Sequence, residues 1–415
     1  MQMEDAILVG LNLPEDHNFE NSMLELANLA QACDVNVLHT VTQKKDAPTP
    51  DYYIGEGKVQ EIKEAIETLD ANLVIFNDEL SPTHIRNLEN ALDIKVIDRT
   101  VLILDIFAKR AKTKEAMLQV ELAQASYFLP RIIGAYKNLS RQKSGTGSKG
   151  PGEQQLELDR RFLRDRVTRL KRELNDLVKI RRNQRERRKK NDMFTVALTG
   201  YTNSGKSTLM NAIINVSSTH KDKYAFEKNM LFATLETKTR NIHLNNNHRF
   251  LLTDTVGFID KLPHQLVEAF KSTLEEISEA SLILHVIDVS NPNHENQIKI
   301  VENVLKEIGV VDIPIIYVYN KVDLLSDLPV THHDDSIFTA AKNEYNIDRL
   351  LERIDDEIYK KIRKVSLLIP FKNAEIYSEL KVNSNVLETN YLDEGIEVTV
   401  ELNEYHLNKY KQYIK

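Results

Sequence analysis

The sequence predicts a multidomain α/β chain of four units. These are an α/β subdomain over 1–110, an antiparallel helical hairpin over 111–190, a phosphate-loop domain over 191–363 with a mixed sheet and helices on both faces, and a small α+β unit over 364–415. Three observations carry this. Buried strand-like runs alternate with helical stretches up to about residue 105. An apolar stripe at spacings of three and four then runs on through the second unit. Finally, a buried run, Phe194–Thr199, enters a glycine loop that opens a helix. A length of 415 residues suits two to four domains at roughly 150 residues each.

In the first unit, Ala6–Leu11 and Val35–Thr42 read as strands around a helix, Phe19–Ala32. Leu73–Phe76 and Lys95–Asp98 are short buried strands, and Ser81-Pro82 starts a helix with a serine cap and proline in its first turn. The rhythm implies a parallel, doubly wound sheet. In the second unit Leu118, Leu122, Ala125 and Leu129 form one stripe. Leu156, Leu163, Val167, Leu170, Leu174 and Leu177 form another, broken by Arg160. Two such helices joined by Ser144-Gly145-Thr146-Gly147-Ser148-Lys149-Gly150-Pro151-Gly152 make a hairpin with a glycine-rich tip. In the last unit Val365–Pro370, Ser384–Tyr391 and Ile396–Leu402 read as strands and Ala374–Leu380 as a helix. Its acidic residues make it a poor phosphate binder.

Composition narrows the function classes. With 41% hydrophobic and 28% charged residues the chain is not a long disordered one. One cysteine, Cys33, cannot form an internal disulfide, and no Cys/His spacing suggests a metal site. The N-terminus lacks the basic region of a signal peptide, and no apolar run approaches the ~20 residues of a membrane span. These features point to a soluble cytoplasmic protein, expected to be a monomer, with at most peripheral membrane association. The net charge of −7 hides an asymmetry, because 137–190 carries +12. Lys143, Lys149, Arg181, Arg182, Arg185, Arg187 and Arg188 are the candidate RNA contacts there, with a solvated basic linker as the alternative. Nothing points to DNA.

The chemistry concentrates in the third unit. Gly200-Tyr201-Thr202-Asn203-Ser204-Gly205-Lys206-Ser207, with Thr208 opening the helix, is GxxxxGK[ST] in its required strand–loop–helix setting. Loop N–H groups hold phosphate oxygens, Lys206 reaches the β- and γ-phosphates, and the Ser207 hydroxyl ligates Mg²⁺. Asp254-Thr255-Val256-Gly257 ends a strand; Asp254 serves the metal and the Gly257 N–H senses the γ-phosphate. Asn320-Lys321-Val322-Asp323 follows another buried strand, and Asp323 accepts from guanine N1–H and the 2-amino group, which rejects adenine. Thr339, Ala340 and Ala341 are candidates for backbone contacts to the base. The set implies GTP and GDP as ligands. Lys206 and Gly257 are candidate catalytic positions. After Gly257 stands Phe258, which cannot orient a water as glutamine does in many GTPases, so intrinsic hydrolysis should be slow. Asn203 is a candidate for holding K⁺.

With these motifs, the chain resembles the HflX family of ribosome-associated GTPases. The resemblance rests on Tyr53-Ile54-Gly55-Glu56-Gly57-Lys58, Asn77-Asp78-Glu79-Leu80-Ser81-Pro82, Asp98-Arg99-Thr100, Gly147–Glu153, and Leu156–Arg161, and covers about 1–363. Phe232-Ala233-Thr234-Leu235 matches the family's switch I, with Thr234 completing the Mg²⁺ shell. The resemblance implies binding to the large ribosomal subunit, with the hairpin near the peptidyl-transferase region, and splitting of stalled or idle ribosomes under stress by the GTP form. Departures are Gln154-Gln155 after the loop, Thr339-Ala340-Ala341 where the family has Ser-Ala-Lys, and Asn343 and Asn346 for glycines. A nucleotide-driven RNA-remodelling factor and a signalling GTPase with a protein effector are the rival readings.

Overall fold

A computed structural model describes residues 4–16, 18–136, 151–190, 194–217, 237–244, 248–261, 264–310, 312–327, 333–360, 363–402 and 404–415. The first sheet contains β1 (Glu4–Asn12), β2 (Val35–Lys44), β3 (Leu73–Phe76) and β4 (Lys95–Asp98), in the order β2-β1-β3-β4 with every neighbour parallel. Helices α1 (Phe19–Ala32), α2 (Glu56–Leu69), α3 (Pro82–Leu92) and α4 (Arg99–Arg110) link and cover these strands. Leu26, Leu29, Leu102 and Ile106 pack on one face, and Val59, Ile62, Leu88 and Leu92 on the other. Ser81 caps α3 by accepting the His84 N–H at 3.1 Å, with Pro82 in the first turn. α4 begins at Arg99, where Asp98 caps it by accepting the Val101 N–H at 3.1 Å.

α5 (Lys114–Tyr136) and α6 (Pro151–Lys190) form the helix pair. Leu118 and Leu122 bury against Leu170 and Leu174, and Glu121 pairs with Arg166 nearer the far end, so the two helices run antiparallel. Leu129 and Leu163 are only partly buried, so the seam is tightest at the base of the pair. The segment 144–150 of the glycine-rich connection lies outside the described residues.

The second sheet has β5 (Phe194–Gly200), β6 (Lys238–His243), β7 (Arg249–Asp254), β8 (Leu282–Asp288), β9 (Ile315–Asn320) and β10 (Ser336–Phe338), ordered β10-β9-β8-β5-β7-β6. Only β6 runs antiparallel, so the sheet is mixed. α7 (Lys206–Ser217) lies on one face, where α10 (Ile347–Tyr359) joins it. α8 (His264–Ser278) and α9 (His294–Glu307) cover the other. That second core is continuous with α4 and α5; Phe107 meets Phe270 edge to face at 5.2 Å. Where α4 and α5 meet α8, the joint between the first two regions and the second sheet is therefore apolar and packed.

The last residues form β11 (Arg363–Ile369), α11 (Ala374–Asn383), β12 (Asn385–Leu392), β13 (Gly395–Leu402) and α12 (Glu404–Lys409), with an antiparallel sheet ordered β11-β13-β12. His248 bridges this sheet to the preceding one, contacting Asp355 at 2.6 Å and Glu401 at 2.8 Å while stacked on Tyr359. Among the described residues no helix is long and apolar enough to cross a membrane.

Candidate nucleotide site

β5 delivers the loop 200–207 at the edge where β7, β8 and β9 also end. The turn needs left-handed backbone: Asn203 has φ 61° and Gly205 φ 95°. Gly200 (φ 147°) and Gly205 are also tight, since a Cβ would strike the Val286 carbonyl oxygen at the first and the Asn320 amide at the second. The Lys206 amine is buried and donates to the carbonyls of Gly200 (3.1 Å) and Tyr201 (2.7 Å). Burial lowers its pKa to about 8; Asp254 opposes that shift and nearby Lys321 reinforces it.

At the head of α7, the Ser207 hydroxyl donates to Asp254 Oδ2 at 2.7 Å. Asp254 ends β7 fully buried, so a hydroxyl and a carboxylate meet as hard oxygen donors of the kind Mg²⁺ takes. The chain then crosses the loop. A Cβ at Gly257 would lie 2.9 Å from Lys206 Nζ and 3.0 Å from Thr202 Cα. The Phe258 N–H donates to the Gly200 carbonyl at 3.1 Å, and its own carbonyl accepts the Thr202 N–H at 2.7 Å. The Phe258 ring is 2% exposed, in the core with Tyr201, Val256 and Ile259. Thr202 Oγ1 and Ser204 Oγ are buried in the loop without a hydrogen-bond partner among the described residues.

β9 supplies the third motif. Asn320 donates to the Ser204 carbonyl at 3.0 Å and accepts the Ala341 N–H at 3.0 Å, lacing the loop to the segment after β10. Lys321, at φ 69°, donates to the Asn203 carbonyl at 2.8 Å and pairs with Asp288 at 2.6 Å. Asp323 stands exposed on the turn Val322–Leu324. The backbone N–H groups of Thr339, Ala340 and Ala341 donate to Tyr319 O, Tyr345 O and Asn320 Oδ1. All three expected base donors thus have acceptors inside the protein, because this loop is tied to β9.

Sequence spacing brings Gly200–Thr208, Asp254, Gly257 and Asn320–Asp323 to one sheet edge, and the structure gathers them there. It also adds residues with no linear signal. Asp288 holds Lys321, and the Tyr201 hydroxyl donates to Glu25, 176 positions away. Thr234 and the surrounding 232–235 lie outside the described residues, as do Lys143 and Lys149. Arg181, Arg182, Arg185, Arg187 and Arg188 fall in the final turns of α6.

Three family descriptions match in order: "GTP-binding GTPase N-terminal" over 20–108, "GTP-binding GTPase Middle Region" over 110–188, and "50S ribosome-binding GTPase" over 195–321. The "GTPase HflX" of Caldanaerobacter subterraneus is 49% identical over 400 residues, 96% of this chain and 91% of that protein. The chain belongs to the HflX family of GTPases. Within that family the "GTPase HflX" of Escherichia coli is 39% identical, covering 96% of this chain and 93% of its own length. Among solved structures, a GTP-binding protein from Sulfolobus solfataricus in complex with GDP is 26% identical. It covers 86% of this chain and 99% of that one, with a TM-score of 0.43.

Proposed function

We propose that this HflX-family chain is a guanine-nucleotide switch whose GTP form binds the large ribosomal subunit and splits stalled or idle ribosomes, acting as a monomer in the cytoplasm. One observation carries the nucleotide part: Lys206, the Ser207–Asp254 pair and the Asn320–Ser204 bond converge on a loop with left-handed turns at Asn203 and Gly205. In this reading the N–H groups of 203–208 cradle phosphate oxygens at the start of α7. Lys206 swings from its two carbonyl acceptors to the phosphates. Ser207 and Asp254, with Thr234, hold Mg²⁺, which when bound neutralises charge on the β- and γ-phosphates. Asp323 reads the guanine edge.

Hydrolysis is slow by itself in this reading, since the side chain after Gly257 is an apolar ring in the core. A partner or a cation, K⁺ at Asn203 included, then positions the water; equal turnover in K⁺ and Na⁺ would remove the K⁺ role. The units divide the work: 111–190 engages RNA with its basic arm, 1–110 is its scaffold, and 191–363 holds nucleotide. The likeness to the "50S ribosome-binding GTPase" description supports the large-subunit partner. The +12 charge of 137–190 supports a polyanion contact there.

Since only differential affinity shifts an equilibrium, GTP binding rather than hydrolysis drives splitting. Light scattering of 70S ribosomes with the protein and a non-hydrolysable GTP analogue should report dissociation. Splitting that requires hydrolysis would contradict the reading. GTP-dependent unwinding of isolated RNA would favour the remodelling rival, and a nucleotide-dependent protein complex without ribosomes the signalling one.

A further inference from the structure

Between the first sheet and the nucleotide-site sheet lies a set of buried polar side chains that phosphate chemistry does not use. At one end the Tyr201 hydroxyl donates to Glu25 of α1 at 2.6 Å and accepts the Asp260 N–H at 2.7 Å. Glu25 is ion-paired with Arg99, which is 2% exposed. Arg99 also donates to Asn77 Oδ1 at 3.0 Å and Ser22 Oγ at 3.4 Å, so α1 and the residue after β3 fix it. The preceding residue, Asp98, serves the helix pair. Its Oδ2 accepts the Tyr127 hydroxyl of α5 at 2.5 Å and the Leu80 N–H at 2.9 Å. Arg131 of α5 lies 3.6 Å from Asp98 and stacks over the Tyr127 ring at 3.2 Å from its centroid.

A second tie runs in parallel. Lys261, at φ 53°, pairs with Asp78 at 2.6 Å and Asp16 at 3.3 Å, both on loops that follow strands of the first sheet. Residues 257–261 are thus held at the loop by Phe258, at Tyr201 by Asp260 and at the first sheet by Lys261. Burial raises the pKa of both Glu25 and Asp98 against the pull of their partners. Buried charges of this kind are tolerable only while every partner is in place. Moving one member therefore strains the others.

We propose that the adjacent pair Asp98-Arg99 is the coupling joint between the nucleotide site and the helix pair. Arg99 works through Glu25 on Tyr201, and Asp98 works on Tyr127 and Arg131. These are positioning residues that touch no nucleotide. The element with two arrangements is 257–261: where Gly257 meets a γ-phosphate, the Phe258 and Asp260 bonds to the loop shift with it, and Glu25 and Arg99 carry the shift to the root of α5. The inference rests on the nucleotide site assigned above.

The test uses the full chain with GDP or a non-hydrolysable GTP analogue, read by amide hydrogen exchange and by nucleotide affinity. Exchange over 114–136 should differ between the two nucleotides in the unaltered protein. Glu25→Gln, which keeps shape and removes charge, should erase that difference and change the GTP-to-GDP affinity ratio about fivefold or more. Tyr127→Phe, far from the nucleotide, should also erase the exchange difference. A network that merely glues the regions together would lower the melting temperature in both variants yet leave the nucleotide-specific difference intact. That result overturns the proposal, as does the absence of any difference in the unaltered protein. Co-sedimentation of the same preparations with large subunits reads the ribosome assignment separately, so either can fail alone.

Discussion

The chain carries two α/β sheets, one all parallel and one parallel but for β6, and they end their strands differently. In the second sheet β5 runs into a loop with left-handed residues at Asn203 and Gly205, which leaves little room for side chains and turns backbone toward the site. In the first sheet the corresponding ends present Asn77, Asp98 and Arg99, whose side chains bond to one another or to neighbouring residues. Glycine is used oppositely as well. Gly10 in β1 makes room for α1, since a Cβ there would collide with Met23 Sδ and lie 2.8 Å from Phe19. The same architecture thus yields a glycine-turned candidate site at one sheet and a side-chain joint at the other.

That contrast can be broken in several places. The largest effect should come from Lys206→Ala, which removes a charged donor; GTP affinity should fall about a hundredfold or more, measured by fluorescent-nucleotide titration. Asp323→Asn should cut the preference for GTP over ATP by roughly thirtyfold in competition binding, since a carboxylate accepting two donors is lost. Gly10→Ala should cost about 1–3 kcal/mol in denaturant unfolding through overpacking, with GTP affinity unchanged. If Gly10→Ala instead abolished binding, the two sheets would not divide their tasks as described.

The smallest effect concerns pH. Lys206 has a pKa lowered to about 8, chiefly by burial, so its amine loses its charge as pH rises through that value. Phosphate binding favours the protonated form, so affinity should be flat below that pH and weaken above it, by roughly fourfold between pH 7 and pH 8.5. An affinity that rises over this interval would mean that the amine does not face the phosphates.

Much of this was readable in one dimension. Phe19–Ala32, Leu73–Phe76 and Lys95–Asp98 coincide with their elements, because apolar periodicity and a Ser-Pro start are local signals. The loop 200–207 and Asn320–Asp323 are legible for a related reason: each motif is contiguous and flanked by a buried strand. The Glu25–Tyr201 contact was not, since nothing local marks two residues 176 positions apart as partners. The same holds for His248 between Asp355 and Glu401. The pairing of the Thr339, Ala340 and Ala341 N–H groups with Tyr319, Tyr345 and Asn320 was likewise illegible, since each partner lies outside the local motif.

The central claim is that the bound nucleotide decides whether the chain holds the ribosome, and sedimentation of the full chain with purified large subunits tests it most directly. Protein loaded with a non-hydrolysable GTP analogue should pellet with the subunits, and protein that is empty or GDP-bound should stay in the supernatant. Equal pelleting in all three states would contradict it.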